Sequence, residues 1–152
     1  MDYMKMAAEK TIEGMNAKVG GPFGATIVKG DEIIAVVSNT MMRDTDPSAH
    51  AEMVAVREAC KKLGTMNLEG CTVYATCEPC PMCVSVMIWA GIKDVYYCNT
   101  SEDADKYGFS DMHLRKYLKG IDDSVINMVK VPQRDDCDNL FEHFNKLQEE
   151  NN

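Results

Sequence analysis

Hydrophobic and polar positions alternate with two different periods along the chain. Over residues 2–18, Met, Ala and Ile recur at roughly helical spacing among Lys and Glu, and the run stops before Gly20-Gly21-Pro22, a strong breaker. Residues 24–29 (GATIVK) and 33–38 (IIAVVS) are rich in β-formers, and the Gly30-Asp31 between them predicts a hairpin. Asp46-Pro47 offers an N-cap and a first-turn proline for a helix running to about Leu63. Residues 71–76 (CTVYAT) predict a third strand, 80–90 a further helix closed by Gly91, and 95–98 (VYYC) a fourth strand. Short helices around Gly108-Phe109 fit 101–118. Residues 125–131 (VINMVKV) predict a fifth strand, and 138–148 a last helix with Leu140, Phe144 and Leu147 on one face. Helices alternating with strands after an opening hairpin imply an α/β domain of three layers, α/β/α, with a central mixed five-stranded sheet.

A length of 152 residues suits a single domain spanning 1–152, and no repeat, low-complexity stretch or linker divides it. No apolar run approaches the roughly 18 residues needed to span a bilayer, so no membrane partner is expected. The opening residues lack the basic and apolar regions of a signal peptide, and a cytoplasmic address follows as the expectation. Seven cysteines, an odd number, then read as thiols or metal ligands rather than as a disulfide framework. A net charge of -8 argues against nucleic acid, because phosphate neutralisation by Lys and Arg supplies most of that affinity. A small-molecule substrate fits better.

Two short segments carry the chemistry: His50-Ala51-Glu52 and Pro79-Cys80-Pro81-Met82-Cys83. A Cys-x-x-Cys at a helix start lets two sulfurs converge on one ion, and the helix end favours their ionised form. One imidazole and two thiolates suit a tetrahedral, borderline-soft ion such as zinc, one per chain. Three protein ligands leave a fourth position for water, the mark of a catalytic site. Cys77, Cys80 and Cys83 also open a ferredoxin-type run, but its next ligand would stand at position 87, which is Met87. Cys77 could in principle close the zinc site as a fourth ligand; its place at a strand end points it into the core instead. Glu52 can reach the water at the metal without being a ligand. Residues two apart face different sides of a helix, so His50 and Glu52 serve one site only if the helix begins close to His50. His-x-Glu followed by Pro-Cys-x-x-Cys is the zinc-deaminase signature, in which the glutamate shuttles protons between water, ring nitrogen and departing ammonia.

With these residues placed, the chain resembles the cytidine-deaminase-like superfamily, and bacterial guanine deaminases most of all. The likeness runs from Gly20-Gly-Pro-Phe-Gly-Ala25 through Asp46-Pro-Ser-Ala-His-Ala-Glu52 and Cys77-Glu-Pro-Cys-Pro-Met-Cys83 to Trp89-Ala90 and Ala104-Asp-Lys-Tyr-Gly-Phe-Ser-Asp111. It implies hydrolysis of the free purine guanine to xanthine and ammonia. By the same resemblance Asn39 hydrogen-bonds the base, Phe23 stacks on it, and Asp111 contacts its edge and assists proton transfer. Trp89 would stand at the pocket rim or in the core. The resemblance also implies a homodimer in which the C-terminal segment is exchanged and an aromatic near the chain end closes the partner's site. Here the last aromatic is Phe144, with Phe141, Phe144 and Leu147 as the strip able to dock. The rivals are a tRNA adenosine deaminase, a cytosine or nucleoside deaminase, and a non-catalytic zinc-binding module.

Overall fold

The computed structural model describes residues 1–151. The elements run α1 (Tyr3–Asn16), β1 (Gly24–Lys29), β2 (Glu32–Ser38), α2 (Met41–Asp44), α3 (Ala51–Leu63), β3 (Cys71–Cys77), α4 (Pro81–Trp89), β4 (Asp94–Asn99), α5 (Ser101–Asp105), α6 (Met112–Leu118) and α7 (Asp135–Glu150). The strands form one mixed sheet in the order β2-β1-β3-β4. β1 is antiparallel to both β2 and β3, whereas β3 and β4 are parallel, joined by the α4 crossover.

Strand alternation assigns the two faces of the sheet. On one, Thr26 Oγ1 donates to the Tyr3 carbonyl at 3.0 Å, and Gly24 lies against Ala7 and Thr11 of α1. On the other, Ala25, Ile27 and Val73 pack with Ala51, Ala55 and Ala59 of α3 and with Cys83 and Met87 of α4. The three alanines let α3 lie close to the strands. Ile27 and Val73 are fully buried, each contributing about 1.5–3 kcal/mol through removal of apolar surface from water.

Gly24 is required by close approach. A Cβ there would lie 2.1 Å from Thr11 Oγ1 and 2.5 Å from the Ala7 carbonyl oxygen, which is backbone and cannot turn aside. Gly24→Ala is expected to lower stability by about 1–3 kcal/mol, the usual range for an overpacked core. Urea denaturation measures it, and an unchanged midpoint would mean that α1 yields freely.

The structure differs from these expectations in four places. The sheet has four strands, not five: residues 125–131 form no strand, and β4 remains an edge. Val125, Ile126, Met128, Val129 and Val131 are exposed, and β propensity acts only where a neighbouring strand or a covering layer receives the side chains. The helix expected from Asp46 starts at Ala51, with His50 at its N-cap. Asp46 Oδ1 instead accepts from Ser48 N at 2.8 Å and Ser48 Oγ at 2.7 Å, closing an Asx turn before the helix. Met41–Asp44 adds a short helix, α2, that the pattern did not predict. The closing helix is present and longer than expected, yet every residue of α7 is exposed, its apolar strip included.

Candidate metal centre and active site

Both halves of the chemical motif arrive at helix N-termini on the α3/α4 side of the sheet. His50 caps α3 and Cys80 caps α4, both in extended backbone, and neither side chain is consumed in capping. Pro81 at the first position of α4 suits a site where the N–H would be unpaired anyway. Cys83, one turn into α4, is fully buried. His50 Nδ1 lies 3.6 Å from the sulfurs of both Cys80 and Cys83, and the sulfurs are 3.7 Å apart. A tetrahedral zinc with ordinary Zn–S and Zn–N bonds has ligand–ligand edges of about 3.8 Å (S···S) and about 3.6 Å (S···N). The three side chains therefore fit that ion without rearrangement. They are the three-residue cluster of metal-ligating type among the described residues.

The electrostatics agree with this donor set. The hydrogen bond shared with Cys83, joined by the His50 imidazole, lowers the Cys80 thiol. The shared hydrogen bond with Cys80, and then burial, raise Cys83. His50 is raised, chiefly by its hydrogen bond with Cys80.

Glu52 sits at the second position of α3, 6% exposed. Burial pushes its carboxyl above the ordinary range, with the Cys83 contact partly offsetting this. Because α3 starts right after His50, the imidazole and the carboxylate both leave the helix end toward one space, as two residues inside a regular helix could not. That space is a cavity of about 330 Å³, lined by His50, Glu52 and Cys80 at one end and by Phe23, Asn39 and Asp111 elsewhere.

A family model, the cytidine and deoxycytidylate deaminase zinc-binding region, matches residues 1–99. The chain belongs to this deaminase family. Over 147 residues it is 41% identical to a guanine deaminase of Bacillus subtilis (strain 168), covering 96% of this chain and 90% of that protein. The X-ray structure of guanine deaminase from Bacillus subtilis superposes with a TM-score of 0.87 at 39% identity, covering 94% of this chain and 92% of the other. A tRNA-specific adenosine deaminase of Aquifex aeolicus is 47% identical, but over 76 residues only, half of each chain.

The deaminase fold gathers most of the residues singled out from sequence. Asn39, 4% exposed, is held firmly: its N–H donates to the Phe23 carbonyl at 2.9 Å, and its Oδ1 accepts from Met41 N at 3.0 Å, which starts α2. Gly20 makes room for it, since a Cβ on Gly20 would lie 1.9 Å from the Asn39 carbonyl oxygen. Phe23 meets Phe109 edge to face, with ring centroids 5.3 Å apart at 87°. Asp111 stands at the start of α6 without capping it, and its Oδ1 accepts from Arg115 Nε at 2.9 Å. Trp89 is not brought in. It ends α4, nine residues and about 13 Å beyond Cys80, and is 88% exposed.

Sequence reasoning missed several wall residues. Cys77 lines the cavity, yet it is not in the metal cluster; its thiol faces the Thr100 carbonyl at 3.6 Å. Strand parity could have found it, since Cys71, Val73, Ala75 and Cys77 alternate onto the α3/α4 face. Met41 and Met42 line the cavity from α2, and no motif pointed to them.

Proposed function

We propose that this zinc deaminase hydrolyses guanine to xanthine and ammonia, with residues 1–152 acting as one catalytic domain that His50, Cys80 and Cys83 supply with one zinc ion. The observation that carries the reading is the juxtaposition of Glu52 with Asn39, Phe23 and Asp111 around a single cavity. The likeness to the Bacillus subtilis guanine deaminase supports it by continuing past the metal motif, through the segment that supplies Phe109 and Asp111.

When bound, zinc supplies the Lewis acidity that makes a water nucleophilic at neutral pH. The residues do the rest. Glu52, buried beside the metal ligands, takes a proton from the attacking water and places it on the ring nitrogen next to the amino-bearing carbon. A C–O bond forms there. Glu52 then carries the second proton to the departing nitrogen, the C–N bond breaks and ammonia leaves. The Phe23 ring offers an apolar face to the purine. Asn39 orients it. With Oδ1 accepting from Met41 N and Nδ2 donating to Met41 Sδ at 3.3 Å, the Asn39 side chain has one further N–H to offer the ligand, so it reads a ring nitrogen or carbonyl acceptor.

Asn39→Asp tests that polarity, because it keeps the acceptor that starts α2 and removes both donors. We expect kcat/KM for guanine to fall about 10- to 100-fold, as for a lost buried hydrogen bond, and the melting temperature to fall as well, because a carboxyl replaces a buried amide. Steady-state kinetics with calorimetry decide it; unchanged kinetics would remove Asn39 from substrate recognition.

The same reading extends to assembly and address. We infer a homodimer with an exchanged C-terminal segment, supported by the exposed apolar strip of Phe141, Phe144 and Leu147 on α7 and by the exposed Tyr96 on the edge strand β4. A cytoplasmic address fits the seven free cysteines. Among the described residues no helix is long and apolar enough to cross a membrane. The function itself is tested by ammonia release from the zinc-loaded protein against guanine, guanosine, adenine, cytosine, cytidine and a tRNA anticodon stem-loop. Preferential turnover of guanine supports the reading. Turnover of another substrate with guanine inert would sink it.

A further inference from the structure

The guanidinium of Arg115 joins two parts of the site that are far apart in sequence. Its Nε donates to Asp111 Oδ1 at 2.9 Å. One terminal nitrogen donates to the Pro79 carbonyl at 3.3 Å and lies 3.5 Å from Glu78 Oε2. Glu78 is itself fixed: its N–H donates to the Asn99 carbonyl at 2.7 Å, and its Oε1 accepts from Ser101 N at 3.1 Å. The Glu78-Pro79 turn runs directly into Cys80. Packing holds the other side only in part: none of the seven residues of α6 is fully buried, and Leu114 and Tyr117 are half-buried. Asp111 meanwhile faces the cavity with Oδ2 unpartnered by protein among the described residues. The polar links of Arg115 are therefore what fix this carboxylate relative to the metal end.

We propose that Arg115 is a positioning residue for the deamination reaction: it holds Asp111 at the cavity and ties α6 to the Glu78-Pro79 turn that delivers Cys80. The inference rests on the proposed role of Asp111 in contacting the base. The planar fork sets Nε against Asp111 and a terminal nitrogen against Pro79 and Glu78, two separated points that the single ammonium of lysine does not occupy at once.

A double-mutant cycle tests it, with Arg115→Met, Asp111→Asn and the pair, each assayed for kcat, KM, zinc content and melting temperature. Arg115→Met is expected to lower kcat/KM about 10- to 100-fold, with KM rising and zinc retained. In the Asp111→Asn background it should change neither parameter more than about twofold, because the group it positions is already disabled. Arg115→Lys should recover only part of the loss. Independent, additive losses would overturn the proposal, as would zinc loss in step with activity, full recovery by lysine, or a silent Asp111→Asn. The cycle is run on whichever substrate the wild type turns over fastest. A substrate other than guanine then ends the guanine reading alone, and absence of all turnover ends both.

Discussion

Glu52→Gln is expected to keep its zinc and lose about 10² to 10⁴ in kcat, the range for removal of a positioned general acid–base group. The substitution is isosteric, so the packing of this buried side chain survives, while an amide can neither accept the water's proton nor pass it on. The two functions are separable because Glu52 leaves the first turn of α3 beside His50 without joining the metal cluster. Zinc content by mass spectrometry and single-turnover kinetics together decide the matter. A mutant that retains both metal and rate would show that the protons travel by another route. The non-catalytic rival makes the opposite prediction for the wild type: metal held, and no substrate turned over.

The second large effect concerns the metal itself. Cys83→Ser should lower zinc affinity by more than about a hundredfold, beyond the usual cost of losing even an outer partner of a ligand, and abolish turnover with it. The stability consequence follows from position. Cys83 is fully buried within the core cluster that joins α4 to α3, so an ion there fastens two helices at their N-termini. Its loss removes that fastening as well as the chemistry. Thermal unfolding with and without chelator measures the difference, and the wild type under chelator should approach the mutant. A melting temperature unmoved by chelator would show that packing alone holds the two helix ends. Acid should mimic the chelator, since both thiols and the imidazolium must give up protons to bind metal.

The metal end was legible because its constraints are local. Cys80 and Cys83 lie one helical turn apart, and the requirement that His50 and Glu52 share one space forced α3 to begin beside His50. That second constraint overrode the stronger surface signal at Asp46-Pro47, where the aspartate's side chain serves its own turn. Legibility failed where the outcome depends on what a segment meets in space. Residues 125–131 have strand composition and no strand, because composition says nothing about who pairs with it. Trp89 shares α4 with Cys80 and Cys83, but nearness in sequence along a helix axis is distance in space. Met41 and Met42 reach the cavity through α2, whose start depends on the Asn39 side chain, a contact invisible to periodicity.

The site is assembled from two stretches of chain in order. Everything that holds the metal is complete by Cys83, and the matching family region ends at residue 99. Phe109 and Asp111, which also line the cavity, come afterwards. Phe23 and Asn39 come before the metal ligands, so the cavity walls are drawn from both sides of the motif, and a change of substrate has to be written in both stretches. A graft of residues 100–118 alone would therefore carry only part of a preference, since Phe23 and Asn39 stay behind with the metal ligands.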